Sequence, residues 1–345
     1  MDLVISRPEG LYCPAGDFYI DPWRPVERAV ITHAHGDHAR AGNQHYLAAA
    51  PGEAILRVRL GQDINLQTLR YGERLLHHGV FLSFHPAGHV LGSAQVRLEY
   101  GGEVWVASGD YKTEPDGTCA AFEPVRCDTF ITDSTFGLPI YRWQPQVQVF
   151  AEINQWWQAN AAVEKTSVLF CHSLGKAQRI LHGIDARLGP ILVHGAVEPI
   201  NRIYREAGVH LPATIDAADI KKSDPMMRKA LVLAPPSAAN SSWMRRFVDY
   251  SDGLASGWMR LRGTRRRFGV DRGFVLSDHA DWPGLLWAIE QTGAERLMAT
   301  HGSSGALVRY LREQRLDAMA FDTRYGEDEE ENPAPAEAEL AAVLP

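Results

Sequence analysis

The most chemically loaded stretch of this chain is Thr32-His33-Ala34-His35-Gly36-Asp37-His38, which follows the apolar run Ala29-Val30-Ile31. Three imidazoles and a carboxylate fall within six residues there. Borderline-soft divalent ions, zinc above all, take ligands of this kind. Gly36 is expected to bend the backbone sharply enough to aim ligands at more than one ion. The competing reading is a solvated loop that happens to be rich in histidine; the order H-x-H-x-D-H directly after a strand is too specific for it.

Further residues of the same two kinds recur downstream. His89 sits between Gly88 and Gly92, and glycines flanking a histidine suggest a backbone forced close to something, such as a metal. Asp110 follows the apolar strand Val104-Trp105-Val106-Ala107 and is a candidate to bridge metals. Asp133 ends the next strand, Thr129-Phe130-Ile131-Thr132, so the two carboxylates could share a sheet edge, where sites gather. His279, in Ser277-Asp278-His279-Ala280-Asp281, and His301, before Gly302, repeat the design. Either histidine alone could equally be a buried structural residue. Asp21, at the end of Tyr19-Ile20, reads equally as a turn residue or as a carboxylate orienting a ligand imidazole from behind.

These residues need strands to carry them. Short strands open the chain, a helix is predicted from Ala39 to Ala50, and strands then alternate to Asp133. The texture changes near Tyr141. An amphipathic helix is predicted from Pro145 to Ala159, then a strand Ser167–Cys171 and the turn His172-Ser173-Leu174-Gly175-Lys176 leading into a helix. A lysine at such a helix start could bind phosphate, although the full P-loop pattern is missing. Apolar strands recur at Pro190–Gly195 and Ala230–Ala234, which predicts a small parallel sheet inserted as its own lobe. Arg245, Arg246, Arg260, Arg262, Arg265, Arg266, Arg267 and Arg272 are interleaved with Trp243 and Trp258. Arginine beside aromatic rings suits a nucleic-acid path; a solvated arginine face is the plainer alternative. The strand Gly273–Leu276 delivers His279, a helix follows from Trp282 to Thr292, and the strand Arg296–Thr300 delivers His301.

Composition narrows the classes. The 345 residues suffice for one large or two ordinary domains, and 45% hydrophobic with 22% charged residues is the balance of a soluble globular chain. No apolar run approaches the roughly 20 residues that span a bilayer, and the N-terminus lacks the pattern of a signal peptide, so a cytoplasmic protein without a membrane is expected. Cys13, Cys119, Cys127 and Cys171 show no C-x-x-C pairing and read as free thiols of a reducing compartment. The net charge of −7 is concentrated after position 326: the seven acids Glu327, Asp328, Glu329, Glu330, Glu331, Glu337 and Glu339 face no lysine or arginine there. The 42 acidic residues less these seven equal the 35 basic ones, so net charge does not argue against a polyanionic substrate. The tail, rich in Glu, Ala and Pro, is expected to be disordered.

Taken together, His33-x-His35-x-Asp37-His38, then His89, then Asp110 resemble the metallo-β-lactamase fold. Asp133-Ser134-Thr135-Phe136-Gly137, the inserted lobe, His279 in its Ser-Asp-His-Ala-Asp motif and His301 in Thr-His-Gly resemble the three added motifs of the β-CASP nucleases, the group of RNase J, the mRNA 3′-end endonucleases and the Artemis-type DNA nucleases. Finer wording is similar to the bacterial ligase-associated DNA exonucleases: Ser134-Thr135-Phe136-Gly137-Leu138-Pro139, Leu174-Gly175-Lys176-Ala177-Gln178, Ala234-Pro235-Pro236-Ser237-Ala238 and Ser277-Asp278-His279-Ala280-Asp281-Trp282.

The resemblance implies an α/β fold, an αββα sandwich with an inserted α/β lobe. Residues 1–141 would form the first part of the sandwich, 142–266 the β-CASP insertion, 267–326 the returning part and 327–345 the acidic tail. It implies two zinc ions, with manganese as the alternative: His33, His35 and His89 on one, Asp37, His38 and His301 on the other, Asp110 between them. His279, oriented by Asp133, would protonate the departing 3′ oxygen, with Asp37 counted among the catalytic residues. Lys112, Lys176, Ser277 and Arg262 are the candidate substrate contacts. The implied function is a DNA-end exonuclease, acting on single strands in a cleft between the lobes, in repair beside an ATP-dependent DNA ligase and a helicase. The alternative is an RNA-processing β-CASP ribonuclease. His301 favours that alternative, because Artemis-type enzymes tend to carry an apolar residue there, but the longer set of matched motifs favours DNA. A small-molecule hydrolase has no use for the inserted lobe, and a non-catalytic scaffold subunit would have lost ligands that this chain keeps.

Overall fold

A computed structural model describes residues 2–302, 304–321 and 323, without the side chains of Thr264 and Arg265. The acidic tail from 327 onward lies outside the described residues. The chain divides into two compact units: one runs to Arg142 and resumes at His279, and the other is Trp143–Asp278.

The first unit begins with β1 (Ile5–Arg7), β2 (Gly10–Cys13), β3 (Phe18–Ile20), β4 (Arg28–Ile31), β5 (His45–Ala49), α1 (Glu53–Leu60) and β6 (Leu66–Leu69). Those six strands form one sheet in sequence order, antiparallel to β3 and parallel from β3 to β6. A second sheet starts with β7 (Leu75–His77), β8 (Val80–Pro86), β9 (Ala94–Tyr100), β10 (Glu103–Ala107) and β11 (Thr129–Asp133).

The chain then enters the second unit through α2 (Gln146–Ala162), β12 (Thr166–Phe170), α3 (Lys176–Gly183), β13 (Ile191–Val193), α4 (Glu198–Glu206), β14 (Ile215–Asp216), β15 (Leu231–Ala234), β16 (Tyr250–Ala255), α5 (Arg262–Phe268) and β17 (Arg272–Phe274). Its six strands make a wholly parallel sheet in the order β14-β13-β15-β12-β16-β17. Val168, Phe170, Leu192, Val232 and Leu254 are buried in its core, as the continuous apolar strands of a parallel sheet require. Pro145 stands at the N-cap of α2, one place before the first turn in which it was expected.

The first unit is completed by α6 (Trp282–Thr292), β18 (Arg296–Thr300), α7 (Ser304–Glu313) and β19 (Asp317–Ala320). The second sheet then reads β19-β18-β11-β10-β9-β8-β7. The two sheets of this unit share one core, in which Leu11, Phe18 and Val30 meet Leu82, Val96, Trp105 and Met298. The other face of the second sheet packs Val106, Phe130 and Leu297 on Trp282, Leu285, Leu307 and Leu311. The described residues therefore form a mixed α/β fold with three sheets.

Two expectations need correction. The helix predicted from Ala39 to Ala50 is instead a loop followed by β5. Its alanines favour a helix, but Tyr46, Ala48 and Ala49 are buried and the segment hydrogen-bonds between β4 and β6, a tertiary demand that overrides propensity. The return to the first unit, placed at 267 from sequence, falls at His279, because β17 pairs with β16 in the inserted sheet.

Candidate metal centre

Strand direction gathers the site. β10, β11 and β18 are parallel neighbours, so their C-terminal ends lie at one edge, and Asp133 pairs in register with Thr300. Asp110 follows β10, Asp133 ends β11 and His301 follows β18. From the other sheet, β4 delivers Thr32 to His38 to the same place. His33, His35, His89 and Asp110 each present a donor atom within 4.8 Å of the others, and so do Asp37, His38 and His301. Asp110 links the groups: its Oδ2 is 3.5 Å from His33 Nε2 and 3.8 Å from His89 Nε2, and its Oδ1 is 3.5 Å from His38 Nε2 and 3.6 Å from His301 Nε2.

The local packing differs from expectation at two glycines. Gly88 has φ +73°, and a Cβ there would stand 2.2 Å from the carbonyl oxygen of Lys112. The close approach that the flanking glycines suggest is real, and what approaches Gly88 is the backbone that follows Asp110. Gly36, expected to bend the chain, does not take a left-handed φ.

The electrostatics of the cluster call for a cation. His33 Nε2 and Asp110 Oδ1 are buried without a hydrogen-bond partner, an arrangement that costs on the order of 1–3 kcal/mol per group unless something else satisfies it. Burial holds the His33 imidazole well below its usual range, and the neighbouring histidines add to this. Burial likewise takes His301 down to about 4. Burial opposes a charge on His38 too, but Asp110, Asp37 and Asp21 outweigh it and push that imidazole up to about 10. Burial, with Asp133 and Asp37 beside it, raises Asp110 to about 7. The imidazoles of His33 and His301, held neutral by burial, and the carboxylates that draw positive charge onto His38 form a donor set suited to divalent ions of the zinc type.

Behind the cluster, Asp21 is buried in a left-handed conformation with φ +42°. Its Oδ1 accepts from the Thr32 amide at 2.7 Å, and its Oδ2 lies 2.5 Å from Thr32 Oγ1 and 2.7 Å from His38 Nδ1. Beside the cluster, His279 Nδ1 is 3.0 Å from Asp133 Oδ2, which leaves His279 Nε2 facing Asp110 Oδ2 at 4.0 Å. Burial works to raise Asp133, but His279 holds it below the ordinary carboxylate range. Asp133 Oδ1 accepts from both the amide and the hydroxyl of Thr135 at 2.7 Å, which fixes the carboxylate. Phe136, quoted in sequence only as part of a motif, lies edge-on to the His279 ring at 5.9 Å.

The four candidate substrate contacts fare differently. Lys112 is buried, with Nζ 3.3 Å from Glu114. In the second unit, Lys176 is buried 3.5 Å from Asp278, and the buried Ser277 accepts at its carbonyl from Arg179 at 2.9 Å. Arg262 alone of the four is exposed, at the first position of α5. Arg246 reaches back to the carbonyl of Trp243 and lies 5.2 Å from its ring, so it is committed locally; the Arg265 side chain is outside the described residues.

Known proteins give the following likenesses. No protein-family model matches the chain. A probable DNA ligase of Opitutus terrae is 31% identical over 329 residues, 94% of this chain and 31% of that protein. Endoribonuclease YSH1 of Saccharomyces cerevisiae is 29% identical over 35% of this chain and 15% of its own length. An RNase J-like protein of Methanocaldococcus jannaschii is 24% identical over 46% of this chain and 43% of its own. The chain thus spans less than half the length of each of these relatives. A crystal structure of a protein of unknown function from Enterococcus faecalis superposes with a TM-score of 0.57 at 9% identity, covering 86% of this chain and 80% of the other, a likeness of fold. The chain is therefore similar along nearly its whole length to one part of a protein named for ligation, and over shorter stretches to proteins named for cutting RNA.

Proposed function

We propose that this chain is a two-metal phosphodiesterase, a β-CASP nuclease of the metallo-β-lactamase fold that removes nucleotides from DNA ends, single strands preferred, in repair beside an ATP-dependent ligase. The observation that carries the reading is the convergence of His33, His35, Asp37, His38, His89, Asp110 and His301, with two buried donor atoms left without partners. In this reading His33, His35 and His89 would hold one zinc ion, Asp37, His38 and His301 would hold the second, and Asp110 would serve both. When bound, such ions lower the pKa of water and clamp the attacking and leaving oxygens of an in-line displacement.

The chain's own groups supply the rest. The Asp133 carboxylate accepts the Nδ1 proton of His279 at 3.0 Å and so turns Nε2 toward the centre. From there Nε2 can hand a proton to the departing 3′ oxygen, a role an imidazole fills near neutral pH. Preference for DNA rests on the breadth of the likeness: 94% of the chain aligns with a protein named for ligating DNA, and about a third with a named endoribonuclease. Purified protein given end-labelled single-stranded DNA and RNA of one sequence tests this. Stepwise loss of nucleotides from DNA is the expected result. Hydrolysis of RNA with DNA left intact replaces the proposal with the ribonuclease reading, and loss of neither removes both.

A further inference from the structure

We infer that the hydroxyls of Thr32 and Thr300 set the ring tautomers of the histidines that follow them, and that Thr32 and Asp21 together tie the two halves of the centre into one unit. The inference rests on the metal reading above and gives a role to two threonine hydroxyls to which that reading gives none.

A hydroxyl carries one hydrogen and two lone pairs. Thr32 Oγ1 lies 2.5 Å from Asp21 Oδ2 and 3.0 Å from His33 Nδ1. A carboxylate only accepts, so the hydroxyl proton goes to Asp21, and Oγ1 offers His33 a lone pair. His33 Nδ1 must then carry the ring hydrogen, which leaves Nε2, the buried atom 3.5 Å from Asp110, with its lone pair free for a cation. The same logic holds in the other sheet. Thr300 Oγ1 donates to the carbonyl of Thr132 at 3.1 Å and lies 2.9 Å from His301 Nδ1. His301 is therefore also the Nδ1–H tautomer, with its Nε2 lone pair turned inward, 3.3 Å from His38 Nε2.

A threonine directly before a histidine thus occurs twice, once just past β4 and once at the last residue of β18. The two copies differ in what stands behind them. The proton of Thr300 ends on a backbone carbonyl. That of Thr32 ends on Asp21 Oδ2, the same oxygen that His38 Nδ1 reaches at 2.7 Å. One carboxylate therefore fixes His38 directly and His33 through Thr32, and those histidines belong to different halves of the centre. His301, at φ +62°, also holds a backbone conformation that residues other than glycine rarely adopt, a strain that such constraints preserve.

Thr→Val removes the hydroxyl at nearly constant shape, and Thr→Ser keeps it. Zinc retention by the full chain is measured by competition with a chelator, after zinc content and thermal unfolding establish that each variant is loaded and folded. Removing a partner of this kind typically loosens a metal about 10–100-fold. Thr300→Val is expected to shift release of the ion on His301 by that factor, Thr32→Val that of the ion on His33, Asp21→Ala that of both, and each serine variant to release zinc as the parent does. A parent chain that holds no zinc overturns the metal reading and this inference with it. A parent with two zinc ions whose valine variants release them unchanged overturns this inference alone. So does a serine variant as leaky as its valine counterpart, because the hydroxyl is then not the cause. Nitrogen-15 shifts of labelled histidine give the tautomers directly, and an Nε2–H form at His33 or His301 would also refute it.

Discussion

Each unit buries a cluster of charged side chains, and the two clusters are resolved in opposite ways. In the first unit, imidazoles and carboxylates converge: His33, His35, His89 and Asp110 hold donor atoms within 4.8 Å of one another, and so do Asp37, His38 and His301. In the second, Asp278 stands 3.5 Å from Lys176 and 3.4 Å from Arg179, and Arg179 also donates to the carbonyl of Ser277. There the cations are supplied by the chain itself, and what they do is hold the segment after β17 against α3. A carboxylate met by the chain's own lysine and arginine is a structural device, whereas imidazole and carboxylate donors gathered within 4.8 Å of one another are a set that can hold a metal ion. The same contrast explains why Lys176, which resembles a phosphate-binding lysine in sequence, is engaged by a carboxylate in the structure.

The comparison breaks most sharply in the first unit. His35→Ala or Asp37→Ala is expected to abolish cleavage and zinc retention with the fold largely intact, whereas His279→Ala should slow the chemical step about 10²–10⁴-fold with zinc content unchanged. Single-turnover kinetics and elemental analysis on the same preparations separate these outcomes. Full activity in either ligand variant means the site is misassigned, and zinc lost from the His279 variant means that a ligand was mistaken for the acid.

The second cluster predicts the reverse pattern. Asp278→Ala leaves two buried cations without their carboxylate and should destabilise the protein by about 3–5 kcal/mol, the usual consequence of removing one partner of a buried pair. Zinc content should stay at the parental level. A variant that melts like the parent would show that Lys176 and Arg179 are not held by Asp278, and the contrast between the clusters would fall.

How much of this was legible in sequence depends on how locally each feature is encoded. The strands Thr129–Asp133 and Arg296–Thr300 and the helix Trp282–Thr292 are apolar runs bounded by turns or caps, and the structure shows all three. The residues of the centre were legible because each is a polar group at the end of such a run. Three features were not. β5 reads as a helix because its alanines report propensity, while its state is decided by β4 and β6. At Gly88 sequence shows that space is needed and not that the Lys112 carbonyl fills it. The hydroxyls of Thr32 and Thr300 went unremarked because a threonine before a histidine is ordinary until the partner of its proton is known.

The smallest effect concerns the exposed counterpart of the buried cations. Arg262 opens α5, where Arg266 and Arg267 are exposed as well. A phosphate contact by an exposed arginine is a screened interaction that releases counterions, so its signature lies in salt dependence more than in strength. Arg262→Ala should weaken binding of a single-stranded oligonucleotide only a few-fold, equally for all base sequences. It should also reduce the slope of log affinity against log salt by about 0.7, the share of one phosphate on a single strand. Fluorescence anisotropy across a salt series measures both. An unchanged slope would make this helix a solvated face, and the contrast would then lie between two kinds of structural cation. A reduced slope would make it one between a cation spent on the fold and a cation kept for the substrate.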